Sequence, residues 1–101
     1  MNIQDKVVVF QLTQDSNLFN IEDLKSINVG KKFFIADVRE VSIELLKKVK
    51  NKFVKFDQTI SNLNGSFVIV SKFSFDNDLK IVPTIQEAYD YIEMEEIEKQ
   101  L

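Results

Sequence analysis

The sequence predicts an α/β fold, with a mixed, mostly parallel β-sheet and helices packed on it. Segments typical of strands and of helices alternate along the chain, and this order predicts a mainly parallel sheet with right-handed crossovers. Two of the strand segments, 32–37 and 66–71, are continuously apolar, which is typical of central strands covered on both faces. A long amphipathic helix pattern lies between them.

The composition restricts the function as well as the fold. A chain of 101 residues is expected to form one domain, here 1–101, and its 45% apolar and 29% charged residues are ordinary for a globular protein. The chain has neither Cys nor His, which excludes thiolate catalysis and Cys-based zinc sites and removes the commonest general base. We therefore expect a protein that is not an enzyme and uses no cofactor or metal. A net charge of -3 argues against a generic nucleic-acid binder.

The chain shows no sign of a membrane-directed segment. Residues 1–12 contain no long apolar region and no small-residue cleavage site, so no signal peptide is predicted. No apolar run approaches the ~20 residues needed to span a bilayer. With the absence of Cys, these features predict a cytoplasmic protein.

The first half of the chain predicts a strand, a helix and a second strand. Residues 6–12 are β-branched and aromatic, as in a strand, and a turn cluster follows at 13–17. A short helix is predicted from about Asn20 to Asn28, with Asn20 as its N-cap and Gly30 just beyond its end. The second strand, 32–37, ends on Asp37.

The strongest periodic pattern predicts a helix from Ser42 to Leu63. Its apolar positions recur at steps of three and four: Leu46, Val49, Phe53, Phe56, Ile60 and Leu63. Ser42 is a good N-cap and Asn64-Gly65 a good stop. The opposite side, called here the lysine face, carries Lys47, Lys48, Lys50, Lys52 and Lys55. A solvated helix face is the favoured interpretation, and a contact with phosphates or an acidic partner is the alternative.

The last third predicts two strands and a helix. Residues 66–71 form a strand that 73–78 either prolong or turn away from, and 79–82 form a short strand. Thr84 and Glu87 predict a capping box at the start of the last helix. The inner face of that helix is Ile85, Ala88, Tyr89 and Ile92. Beyond Glu93 the pattern weakens into an acidic segment, 93–101, which predicts a frayed helix end.

In this order and spacing, residues 6–92 resemble a STAS domain, the fold of bacterial anti-sigma-factor antagonists. The resemblance rests on VVVFQL followed by NIEDLKSI, on KFFIADV with its terminal aspartate, on the long helix closed by Asn64-Gly65 before SFVIVS, and on DLKIVPTIQEAYDYI. It implies a STAS-like fold and a non-catalytic protein-interaction module. By resemblance, the partner would be an anti-sigma factor or a related kinase-like regulatory protein, and the role would be signalling in the regulation of transcription.

The chain departs from the family where the phosphorylation switch begins. Family members that act as switches carry a D-S-S-G-like motif at the start of the second helix, and this chain has none. The loop before that helix is compressed to 38–41, and a short third helix after SFVIVS is missing. The resemblance implies a partner-binding surface at Asp37, Arg39, Glu40 and Ser42, with Ser42 as the candidate phosphorylation site.

Other interpretations stay open at these positions. Asp37 is favoured as a turn residue that accepts backbone N–H bonds, and Ser42 as a plain N-cap. The alternative function is that of a small nucleic-acid-associated protein that uses the lysine face, which predicts steep salt dependence. The oligomeric state is open, and a homodimer is among the alternatives.

Overall fold

The structure is a computed structural model, and it describes residues 6–14 and 30–100. Within these residues the chain forms four strands and two helices. In chain order they are β1 (Val7–Thr13), β2 (Phe33–Glu40), α1 (Ile43–Asn62), β3 (Ser66–Val70), β4 (Ile81–Val82) and α2 (Ile85–Lys99). The helix predicted from Asn20 to Asn28 lies outside the described residues.

The four strands form one parallel sheet in the order β1-β2-β3-β4. Phe33 pairs with Val7 on one side and with Ser66 on the other, and Ile69 pairs with Ile81. β2 and β3 are therefore central, and every residue of β3 is buried. This confirms the predicted α/β class and the prediction that both continuously apolar strands are covered on both faces.

The two helices pack on opposite faces of the sheet, because successive side chains of a strand point to opposite sides. Alternate residues of β2 and β3 contact one helix or the other. The core on the α1 side contains Phe34, Ala36, Val38, Val41, Leu46, Val49, Phe53, Phe56, Ile60, Phe67, Ile69, Phe75 and Leu79. The core on the α2 side is smaller and contains Phe33, Ile35, Val68, Val70, Ala88 and Ile92.

The predicted long helix is confirmed, with one exception on its apolar side. Ser42 is the N-cap, and five of the six predicted apolar residues are buried. Leu63 is 47% exposed because it is the C-cap residue and lies beyond the last helical turn. Asn64 takes a left-handed conformation, with φ 61°, and so turns the chain toward β3.

Two boundaries differ from the prediction. The segment 38–41 was expected to be a loop, but β2 continues through Glu40 because Val38 is buried in the α1-side core and Glu40 pairs with Thr13. β4 has two residues rather than the four expected. Of the two alternatives left open for residues 73–78, the structure shows the turn: they do not prolong β3, since Phe75 turns back into the core beside Phe53, with ring centroids 5.9 Å apart.

The end of α2 also differs from the prediction. The capping box is present, since the Glu87 amide donates to Thr84 Oγ1 at 3.1 Å. The helix does not fray beyond Glu93 but continues through Lys99. It is held there by Lys99 Nζ, which donates to the Asn64 carbonyl at 2.9 Å. No helix within residues 6–14 and 30–100 is long and apolar enough to cross a membrane.

Candidate functional site

The four residues predicted to bind a partner lie where β2 ends and α1 begins. Asp37, Arg39 and Glu40 belong to β2, and Ser42 caps α1 two residues later. This surface, called here the rim, is at the carboxyl end of a parallel strand, which is where open α/β sheets place their ligands.

Asp37 and Arg39 form a two-pronged ion pair, called here the Asp37–Arg39 fork. Nε and Nη2 of Arg39 donate to Oδ1 and Oδ2 of Asp37 at 2.9 and 2.8 Å. The Arg39 amide also donates to Oδ1 at 3.2 Å, so Asp37 accepts a backbone N–H as predicted, although from within a strand rather than a turn. Arg39 is the only arginine in the chain. A planar guanidinium suits a carboxylate in this paired geometry better than an ammonium does.

The fork joins a covered carboxylate to an accessible cation. The Asp37 side chain is 8% exposed and the Arg39 side chain 41%. The hydrogen bonds from the Arg39 side chain hold the pKa of Asp37 below its ordinary value, against an opposing effect of burial. The same contact raises the pKa of Arg39, and the Glu40 carboxylate adds to that effect. Asp37 is therefore a charged anchor, and Arg39 is the group presented to solvent.

The pairing of β1 with β2 is irregular at the rim. Gln11 pairs with Asp37 and Thr13 with Glu40, so β2 contains one more residue than β1 between these two pairs. β-Bulges, which insert one such extra residue, re-aim side chains at strand ends. Arg39 and Glu40 lie at this irregularity, and both are exposed, adjacent in sequence and opposite in charge.

Ser42 is held by contacts separate from the fork. Its Oγ accepts from the Leu45 amide at 3.3 Å, which confirms the predicted N-cap. Its own amide donates to the side chain of Gln14 at 2.6 Å, which fixes the start of α1 to the end of β1. The structure thus brings Asp37 and Arg39 into contact and places Ser42 beside them without a contact to the fork.

A second polar cluster, which was not predicted, joins the two helices around β4. Lys80 Nζ lies 3.4 Å from Glu95 Oε1 of α2 and 3.9 Å from Asp57 Oδ1 of α1. Asp57 Oδ1 is buried and accepts no hydrogen bond, and burial raises the pKa of this carboxyl. A signal was present in the sequence, because Asp57 lies four residues after Phe53 and three before Ile60, on the edge of the buried stripe.

The lysine face is a largely exposed surface of α1. Lys47, Lys48, Lys50 and Lys55 are exposed, and Lys52 is half-buried on the flank of the helix. Among the described residues, no three Asp or Glu side chains are grouped closely enough to hold a metal ion.

Comparison with known proteins does not assign this chain to a family. No protein-family model, no curated protein and no solved structure matches this chain.

Proposed function

We propose that this chain is a non-catalytic protein-interaction module that binds a regulatory protein partner at the rim. The observation that carries the proposal is the Asp37–Arg39 fork, in which a nearly buried carboxylate holds the chain's one guanidinium at an accessible strand end. A side chain that is already ordered loses little entropy on binding, and arginine is common among residues that dominate interfaces.

The charges of the rim favour a protein partner of defined shape. Arg39 and Glu40 are adjacent in sequence, opposite in charge and both exposed, at the irregular end of β2. Such a pattern repels partners with a uniform charge and fixes the register of a complementary one. A partner with an acidic side chain opposite Arg39 and a basic one opposite Glu40 fits this arrangement.

The STAS-like character of the domain is part of the proposal. It is supported by the parallel sheet and by a long helix that starts beside an aspartate-bearing central strand. Under it, the partner is an anti-sigma factor or a related kinase-like protein. Phosphate on Ser42 would lie at the N-terminus of α1, where the helix dipole and amides such as that of Leu45 favour an anion.

The test begins with the capture of the partner on the tagged chain from host lysate, with and without phosphatase. Binding of the purified partner is then measured for Glu40→Lys and for the double variant Asp37→Asn/Arg39→Gln. The double variant removes both charges of the fork together, so that no unpaired carboxylate is left covered. We expect each to weaken binding by at least about tenfold, the loss of roughly one well-placed charged contact.

A matched control carries its changes away from the rim. The pair Lys31→Glu/Asp78→Lys leaves the net charge unchanged and alters two exposed positions, one before β2 and one before β4. It should bind like the wild type. If the control and the rim variants bind equally well, the rim is not the binding surface and the proposal is wrong.

Nucleic-acid association is the second candidate, because four of the five lysines of the lysine face are exposed along α1. It predicts binding to duplex or single-stranded nucleic acid that weakens steeply with salt. The double variant Lys48→Glu/Lys52→Glu should abolish it. Unchanged affinity in this variant would exclude the lysine face as the contact.

A further inference from the structure

The two helices present opposite charges on opposite faces of the molecule. The exposed side of α1 carries Lys47, Lys48, Lys50 and Lys55, with Glu44 as its one exposed carboxylate. The exposed side of α2 is the reverse, and is called here the acidic face: it carries Glu87, Asp90, Glu93 and Glu98. The one basic residue of α2, Lys99, contacts the Asn64 carbonyl and Glu96.

The acidic face also exposes apolar side chains. Met94 is 60% exposed, Ile97 52% and Tyr91 39%, and all three lie among the carboxylates. They account for half of the six large hydrophobic side chains that are exposed in the described part of the chain. An apolar strip bordered by charges is the usual pattern of a surface that contacts another macromolecule.

The surface that complements the acidic face is on the same chain but out of its reach. α1 and α2 pack on opposite faces of the sheet and approach each other at its β4 edge, where Lys80 lies between Asp57 and Glu95. The exposed sides of the two helices point away from the sheet in opposite directions. The lysine face and the acidic face therefore cannot meet within one molecule. They can meet between two molecules, and lysine stems can cover Met94 and Tyr91 while their ammonium groups reach the carboxylates.

We propose that the acidic face binds the lysine face of a second copy of this chain. Because the two surfaces differ, the contact is head-to-tail, and each added copy leaves one face of each kind open. The assembly therefore grows with concentration instead of stopping at a dimer. The rim lies at the strand ends, to the side of this stacking direction, so the proposal does not depend on the function proposed above.

The test is sedimentation velocity on the full chain from about 10 µM to about 1 mM, the range in which weak association is seen. We expect the average mass to rise with concentration at about 50 mM salt and to fall to that of the monomer at about 500 mM, where charges are screened beyond a few ångströms. The basic-face variant is Lys47→Glu/Lys48→Glu/Lys55→Glu, and the acidic-face variant is Asp90→Lys/Glu93→Lys/Glu98→Lys. Each alone should weaken association at least about tenfold, since it removes several exposed pairs.

Mixing the two variants tests whether the reversed faces pair with each other, and a charge change outside the two helices tests for a general effect of charge. In the mixture, the reversed α1 of one variant meets the reversed α2 of the other, so association should return to the wild-type level. A control variant, Lys31→Glu/Lys72→Glu, changes exposed lysines outside α1 and should associate like the wild type. Circular dichroism verifies that every variant is folded.

The proposal is overturned by a wild-type chain that stays monomeric at low salt over the whole range. It is also overturned by a closed dimer whose mass stops rising, or by a mixture of the two variants that fails to associate. Loss of nucleic-acid binding in the basic-face variant, without any self-association of the wild type, would assign the lysine face to the other candidate partner.

Discussion

Asp37 is nearly enclosed and charged, and this combination is stable only because Arg39 is fixed on it. A covered carboxylate without a partner is costly, so the fork constrains both side chains at once. The fork depends on strand geometry, since residues two apart lie on the same side of a strand. The same residues in the compressed loop expected at 38–41 would have no such fixed relation.

The fork predicts a specific dependence of stability on pH. The folded state lowers the pKa of Asp37, mainly through the Arg39 side chain, so its contribution is present above the unfolded pKa and is lost as pH falls through the folded pKa. We expect Arg39→Gln to have a lower free energy of unfolding than the wild type at neutral pH, and the difference to shrink on acidification. Urea unfolding followed by circular dichroism measures it. The double variant Asp37→Asn/Arg39→Gln is the control, and a difference that does not vary with pH contradicts the prediction.

For Asp57 we expect a dependence of stability on pH of the opposite sign. Burial raises its pKa above the ordinary 3.8, and Lys80 offsets this only in part, while Glu95 adds to the rise. A raised carboxyl pKa stabilises the folded state at low pH, and this contribution is lost as pH rises through the folded pKa. Asp57→Asn should therefore gain stability relative to the wild type between acidic and neutral pH. Asp78→Asn, in the exposed segment before β4, is the control and should show no such gain. If Asp57→Asn gains no stability relative to the wild type as the pH is raised, the prediction is wrong.

The type and the bounds of a helix or strand are predicted best where the sequence pattern is long and local. Ser42 and the five buried apolar residues of α1 repeat a helical period over five turns, so neither its type nor its start depends on distant contacts. The end of β2 and the length of β4 depend on pairing with Thr13 and Val70, which no local pattern encodes. The rim was predictable, because it is a strand end followed by an N-cap. The cluster of Lys80, Asp57 and Glu95 was not predictable as a whole, because it joins three separate segments.

The turn after α1 makes Gly65 sensitive to any added carbon. A Cβ there would overlap the Lys32 carbonyl and lie 2.9 Å from Ile60 Cγ2, so the backbone would have to move. We expect Gly65→Ala to cost about 3 kcal/mol, at the upper end of overpacking effects. Gly30 has a positive φ of 87° but open space around it, and Gly30→Ala should cost only about 1 kcal/mol. Urea denaturation of both variants measures the two losses of folding stability. Equal losses would contradict the expectation that Gly65→Ala is the more destabilising.

At the scale of the whole molecule, β2 and β3 couple the two helical layers. Their residues alternate between the core of α1 and the core of α2, so neither layer keeps its apolar surface covered without the sheet. Domains of this size usually unfold in a single cooperative transition.

Tyrosine fluorescence can test this coupling, because the chain has no Trp and both of its tyrosines, Tyr89 and Tyr91, lie on α2. Leu46→Ala removes a fully buried side chain from α1, on the other face of the sheet. We expect it to cost about 3 kcal/mol and to shift the tyrosine transition and the circular dichroism transition to the same lower urea concentration. A tyrosine transition that stays at its wild-type position would mean that the two layers unfold independently.

The most direct test of the central claim, that the rim binds a protein partner, is an NMR titration of the isotope-labelled chain with the captured and purified partner. We expect the largest amide shifts to cluster at the junction of β2 and α1, at Asp37, Arg39, Glu40 and Ser42. Shifts that cluster instead on the lysine face or the acidic face, with the rim unchanged, would contradict the claim.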